Sequence, residues 1–413
     1  MHAHLPPGCL IGGQEVPGEH IRGAVGDLAR SRLACAHGLA MGKLSWGLIV
    51  AACGALATAA PVLSAALGQP TLRTENVVLV TVDGLRHQEL FTGLDPALVD
   101  GGLKSGVEDP RALAARFSDD TPRGRRERLM PFFWKTLAPR GIVLGSRADG
   151  ATVEVTNPYR VSYPSYAEIL TGQVLAEVTG NIPIQVPRET VLEFVRRKLD
   201  LQMAGVAAFT SWNHFPYIVE HETGTITVNA GGPFPQGTGN DQIRRLVALE
   251  GRTLSPWASV RQNAFTEGLA LAYLEDFKPR FMYLALDETD EWAHARRYDR
   301  TVEAIRHFDE TLRLLWELLQ SMETYRDKTT LVITTDHGRG RTPDDWTSHG
   351  PDIPGAEEIW IAIVGPDTAA RGIVPDHAPL RQTQIAATIL RFFGLDSAEF
   401  NPQADESIAL AFP

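Results

Sequence analysis

Three apolar segments of this chain end alike. NVVLVTVDG (76–84), RFMYLALDETD (280–290) and TTLVITTDHG (329–338) each run through Val, Leu, Ile, Thr or aromatic residues to a carboxylate at the far end. Unbroken apolar runs of this length suit strands buried on both faces. GIVLGSRAD (141–149), GVAAFTSW (205–212) and EIWIAIVGPD (358–367) read the same way, and helix-like stretches at 189–200, 257–276, 296–322 and 380–394 lie between them. The alternation predicts an α/β fold, with a mostly parallel central sheet flanked by helices on both faces. Ligands of such sheets bind beyond the carboxyl ends of the strands. Asp83, Asp290 and Asp336 are expected there.

Near those carboxylates stand the residues of a metal site. Asp83 is followed by Gly84, which lets the chain turn sharply beside an ion. A lone Asp-Gly is usually only a turn. Asp290 and His294 are spaced i, i+4 and share a face if a helix begins there. Asp336 and His337 are adjacent, and Gly338 allows the irregular turn that would bring both to one ion. His349 follows twelve residues later in Ser348-His349-Gly350. His and Asp donors suit a borderline ion such as zinc, with manganese as the alternative. Each pair alone would more often be a turn or a surface charge pair. Their joint occurrence singles them out.

The candidate nucleophile is Ser162, in Val161-Ser162-Tyr163-Pro164-Ser165-Tyr166, just ahead of a helix-like AEILTG. A serine there is most often an N-cap. The same position also aims backbone N–H groups and the helix dipole at an anion. Coordination to an ion would make its hydroxyl a competent nucleophile. Arg160, Arg339 and Arg341 are near enough in sequence to clamp an anionic substrate, although surface positions are commoner for arginine.

Taken in this order, the five patches resemble the alkaline phosphatase superfamily, most closely its nucleotide pyrophosphatase and type I phosphodiesterase branch. The resemblance runs from about residue 76 to 395 and includes a late helix, Gln384 to Gly394. The branch's nucleophile motif is matched by Ser162, Tyr163, Pro164 and Thr171-Gly172. The resemblance implies two divalent ions, zinc by preference, one held by Asp83, Asp336, His337 and Ser162 and the other by Asp290, His294 and His349. It also implies a phosphoserine intermediate. Where the branch has Asn directly after the proline this chain has Ser165, so Asn181 becomes the candidate oxyanion contact. The closeness of His349 to Asp336 is instead similar to phosphoethanolamine transferases. Sulfatases of the superfamily need Arg four residues after the residue that becomes formylglycine, and here that position is Tyr166. The expected activity is hydrolysis of a small-molecule phosphate ester, mono- or diester. A headgroup transferase, a sulfatase and a non-catalytic metal-binding relative are the alternatives.

Residues 41–69 carry a lysine, a long apolar small-residue run and Ala-Thr-Ala and Ser-Ala-Ala sites, the layout of a signal peptide or membrane anchor. Residues 1–40 then read as a mis-called or disordered extension, and 70–413 as the hydrolase domain. That domain is expected to carry insertions near 95–128 and 213–256, the second a hairpin and Gly/Pro loop forming a small cap. The expected location is periplasmic or extracellular, with membrane contact only through the N-terminal segment if it stays uncleaved or becomes lipidated. Cys9, Cys35 and Cys53 are the three cysteines, so thiolates take no part in the expected site. A net charge of −11 excludes a general nucleic-acid binder, and no duplex binding is expected.

Overall fold

The computed structural model describes residues 72–100, 102–231 and 239–413. The expected extension and signal segment, residues 1–69, lie outside them. Eleven strands are present among the described residues. They are β1 (Asn76–Val82), β2 (Ile142–Leu144), β3 (Val153–Glu154), β4 (Val206–Thr210), β5 (Thr227–Asn229), β6 (Phe281–Leu286), β7 (Thr329–Thr334), β8 (Glu358–Ile359), β9 (Ile361–Val364), β10 (Gly372–Ile373) and β11 (Leu380–Arg381). Eight form one sheet in the order β10-β2-β9-β7-β1-β6-β4-β5, and β11-β3-β8 form a second, small sheet. In the large sheet only β9 runs against the rest.

Every residue of β1, β4, β6 and β7 is buried, because helices cover both faces. Strand alternation sends Val78, Val80 and Val82 to one face, against Leu269, Val302, Ile305 and Phe308 of helices Asn263–Phe277 and Tyr298–Ser321. Val77 and Leu79 point the other way, into a core with Tyr163, Ile169, Phe194 and Ile385 of helices Ser162–Thr171, Val191–Lys198 and Gln384–Phe392. The apolar runs of the central strands are therefore the direct result of two-sided burial. Among the described residues no helix is long and apolar enough to cross a membrane.

The two segments expected as insertions have regular structure of their own. Residues 96–129 are mainly helical, and Leu98, Leu113, Phe117 and Leu129 reach into the core. Their Asp and Thr residues serve as N-caps: Asp95, Asp109 and Thr121 each accept a backbone N–H. Among the described residues of 213–256 the expected hairpin is not formed: β5 joins the sheet edge parallel to β4, and Asp241–Glu250 is a helix. A strand parallel to its predecessor cannot be reached through a tight turn.

Candidate metal centre and nucleophile

Register places the carboxylates. Val82 pairs with Leu286, and Thr81 pairs with Thr334. The next residues, Asp83 after β1 and Asp287 after β6, are thus neighbours, and Asp336 is level with Asp83 on the other side. Asp287 was not singled out in the sequence, where the run was read as a strand through to residue 290. The strand stops at Leu286, and Asp290 stands instead in the first turn of helix Glu288–His294.

The side chains converge as the motifs suggested. His337 Nε2 lies 3.5 Å from Asp83 Oδ1, 3.3 Å from Asp336 Oδ2 and 3.5 Å from Ser162 Oγ. On the outer side His294 Nε2 is 3.0 Å from Asp290 Oδ2 and 3.1 Å from His349 Nε2. Asp290 Oδ1 is 4.0 Å from both His337 and His349 Nε2, so His337 stands between an inner and an outer group of donors. Both groups, Asp83-Asp336-His337 and Asp290-His337-His349, keep their ligand atoms within 4.8 Å of one another.

The donor set fits divalent ions. Asp83 Oδ1 and Asp336 Oδ2 are buried without a hydrogen-bond partner, a costly arrangement for a carboxylate that has nothing to bind. Burial, then the Asp290 and Asp287 charges, push the Asp83 carboxyl well above the usual carboxylate range. Burial and the Asp83 charge do the same to Asp336. A dication between them removes that repulsion. The imidazoles are kept neutral: burial, then the His349 ring, hold His337 well below its ordinary value, and burial takes His349 down to about 4. Their tautomers follow from their partners. His337 Nδ1 lies 2.9 Å from Gly338 O, and His349 Nδ1 lies 3.1 Å from Arg160 O. A carbonyl only accepts, so each Nδ1 carries the proton and each Nε2 lone pair faces the centre.

The loop before the helix is built to present that carbonyl. Asn157 Oδ1 accepts from Tyr159 N and Arg160 N, and Arg160 takes a left-handed φ of 51°. Asn157 is itself held by the buried Glu168, which accepts from its N and its Nδ2. Ser162 is the first helical residue and does not cap. Val161 occupies the N-cap with no side-chain bond, and the Ser162 hydroxyl faces His337. Pro164 fits the first turn, where its missing N–H is not needed. Ser165 is turned away and accepts from Asn157 Nδ2 at 3.2 Å. Asn181 does reach the nucleophile loop, where its Oδ1 accepts from Tyr163 N at 2.8 Å.

Two further residues of the centre were not assigned these places from sequence. Tyr166 donates its hydroxyl to Asp83 Oδ2 at 2.9 Å. Arg339 is buried and bonds Asp290 Oδ1, while Arg160 is paired with Glu357 and Arg341 with Glu357 and Glu358. All three arginines considered as anion clamps are therefore tied to carboxylates. Gly84, at φ 59°, is required here: a Cβ would stand 2.7 Å from Asp290 Oδ1 and 2.8 Å from Arg339 Nε.

The model of the metalloenzyme superfamily matches residues 212–397, a segment that holds Asp290, His294, Asp336, His337 and His349. That match covers less than half of the chain and marks a similarity to the metalloenzyme superfamily. Solved structures similar to the chain include a phosphonate monoester hydrolase from Silicibacter pomeroyi, with 15% identity over 81% of this chain and 75% of that one, at a TM-score of 0.48. A protein described as a 2-O GAG sulfatase shows 12% identity over 81% and 76%, at 0.46. The lipoteichoic acid synthase LtaP from Listeria monocytogenes shows 10% over 78% and 72%, at 0.48. No curated protein sequence matches the chain.

Proposed function

We propose that this protein is a two-metal phosphoric ester hydrolase of the nucleotide pyrophosphatase and type I phosphodiesterase kind, working through a phosphoserine at Ser162. One observation carries the reading. The Ser162 hydroxyl lies beside the same His337 nitrogen that Asp83 and Asp336 face, and both of those carboxylates keep an unpartnered buried oxygen. Asp83, Asp336, His337 and Ser162 would hold one ion, and Asp290, His294 and His349 the other, with zinc favoured by the His/Asp donors. When bound, such ions favour an ionised oxygen nucleophile and neutralise charge on a phosphoryl group.

The chain's own groups do the rest. Ser162 Oγ attacks phosphorus, a P–O bond forms, and the ester P–O bond opposite it breaks as the alcohol leaves with a proton. Water then cleaves the phosphoserine, which releases the phosphate product and restores the serine hydroxyl. Ser162 opens helix Ser162–Thr171, whose positive end favours the incoming anion. Asn181, whose Oδ1 accepts from the Tyr163 N–H, would offer its Nδ2 to a phosphoryl oxygen. Tyr166 stands where a formylglycine-forming motif needs Arg and is engaged with Asp83, which supports phosphate over sulfate. The layout of residues 41–69 supports action outside the cytoplasm, which fractionation of expressing cells would check.

Purified protein should hydrolyse an aryl phosphate mono- or diester, lose that activity in chelator, and show little action on the matching sulfate. Ser162→Ala should abolish nearly all turnover while metal content and fold persist. An aldehyde at Ser162, or a higher catalytic efficiency on the sulfate than on both phosphates, would overturn this reading.

A further inference from the structure

Among the described residues Arg339 is the one arginine whose guanidinium pairs with a candidate metal ligand, and its bonds are specific. One guanidinium nitrogen, Nη2, bonds both Asp290 Oδ1 and, at 3.2 Å, Asp290 O, while Nη1 donates to Thr347 O at 2.6 Å. The third donor, Nε, is buried with no acceptor and lies where Gly84 lacks a Cβ. A buried donor without a partner costs stability, so packing alone does not account for an arginine here. The opposite oxygen, Asp290 Oδ2, faces His294 Nε2, which faces His349 Nε2 in turn.

We propose that Arg339 is a positioning residue for the outer ion: by holding Asp290 Oδ1, it commits Asp290 Oδ2 to the cation shared with His294 and His349. Asp290 comes from a seven-residue helix and His349 from a loop, so neither is fixed by a strand. The fork between the Asp290 carboxylate and the Thr347 carbonyl ties that helix to the segment leading to His349. One planar guanidinium thus sets the spacing of the two outer donors. A lysine cannot reproduce this, because a single ammonium cannot span both partners in the same geometry. The inference rests on the reading that these residues hold a divalent ion, and the test separates the two.

Zinc binding to the metal-free full chain is followed by calorimetry, with metal content read by elemental analysis. If the wild-type protein takes up no zinc, the metal reading itself fails. If it does, Arg339→Met should weaken the outer ion by about 10- to 100-fold, the range found for residues that orient metal ligands, and leave the inner ion in place. Arg339→Lys should fall between, and it carries the test if the Met variant does not fold. Unchanged affinities in both variants with a raised KM would make Arg339 a substrate contact and overturn the proposal. A tighter outer ion in Arg339→Met would make the arginine a rival cation, which overturns it equally.

Discussion

The inner and outer halves of the candidate metal centre are built in different ways. The inner carboxylates, Asp83 and Asp336, follow adjacent parallel strands whose register sets their separation to within a residue, and both are sealed from solvent. The outer donors hang from a short helix and a loop. His294 is about half exposed, with 48% of its side chain accessible. Order there comes from borrowed contacts: Arg339 on Asp290, and Arg160 O on His349. Sheet register is a cooperative property of the core, whereas each borrowed contact is a single bond that one substitution can remove. The inner half should therefore fail all at once, and the outer half by degrees.

The largest expected effect breaks the inner half. Asp336→Asn keeps the shape of the side chain and the Oδ1 that accepts from Gly84 N at 3.0 Å, but puts an amide near the position of the unpartnered Oδ2. The inner ion should be lost, metal content should fall from about two per chain towards one, and turnover should drop about a thousandfold, the several kcal/mol that charge stabilisation by one ion supplies. Wild-type metal content together with near-normal turnover would show that the inner carboxylates do not carry the chemistry.

A smaller effect is expected where the outer half leans on its loop. Asn157→Ala removes the two bonds that give Arg160 its left-handed turn and so frees the carbonyl that holds His349 Nδ1. Outer-ion affinity should fall about tenfold, the low end for a residue that orients a ligand's partner. The inner ion should be unaffected. Equal loss of both ions would mean that the loop supports the whole centre and that the two halves are not separable.

The same contrast explains what could be read in the sequence. Buried parallel strands write themselves as apolar runs, so the α/β class and the carboxylates Asp83 and Asp336 beyond β1 and β7 were legible. Asp287 was not, because LALDETD continues without a break signal and the strand's true end at Leu286 depends on its pairing with Val82. The roles of Arg339 and Tyr166 were hidden for another reason. Each acts through a partner far away in the chain, Asp290 and Asp83 respectively, and no local pattern encodes such a pairing. The mistaken hairpin in 213–256 has a similar origin: Gly and Pro mark that the chain turns, but the partner strand is chosen by the sheet edge.

The smallest predicted effect sharpens the line between nucleophile and scaffold. Ser162 and Ser165 lie three positions apart in one helix, both buried, and sequence alone leaves each open to either role. In the structure the Ser162 hydroxyl faces His337, whereas Ser165 Oγ accepts from Asn157 Nδ2 at 3.2 Å. Asn157 Nδ2 also reaches Glu168 Oε2 at 2.9 Å, so removing Ser165 Oγ does not leave that amide without a partner. Ser165→Ala should therefore cost about 1 kcal/mol of stability, the usual net worth of one hydrogen bond, with turnover within a few-fold of wild type. Denaturant unfolding and steady-state kinetics on the same preparation measure both. Loss of turnover as deep as that of Ser162→Ala, or a phosphorylated peptide trapped at Ser165, would move the nucleophile one helical turn along and with it the whole assignment of the inner ion.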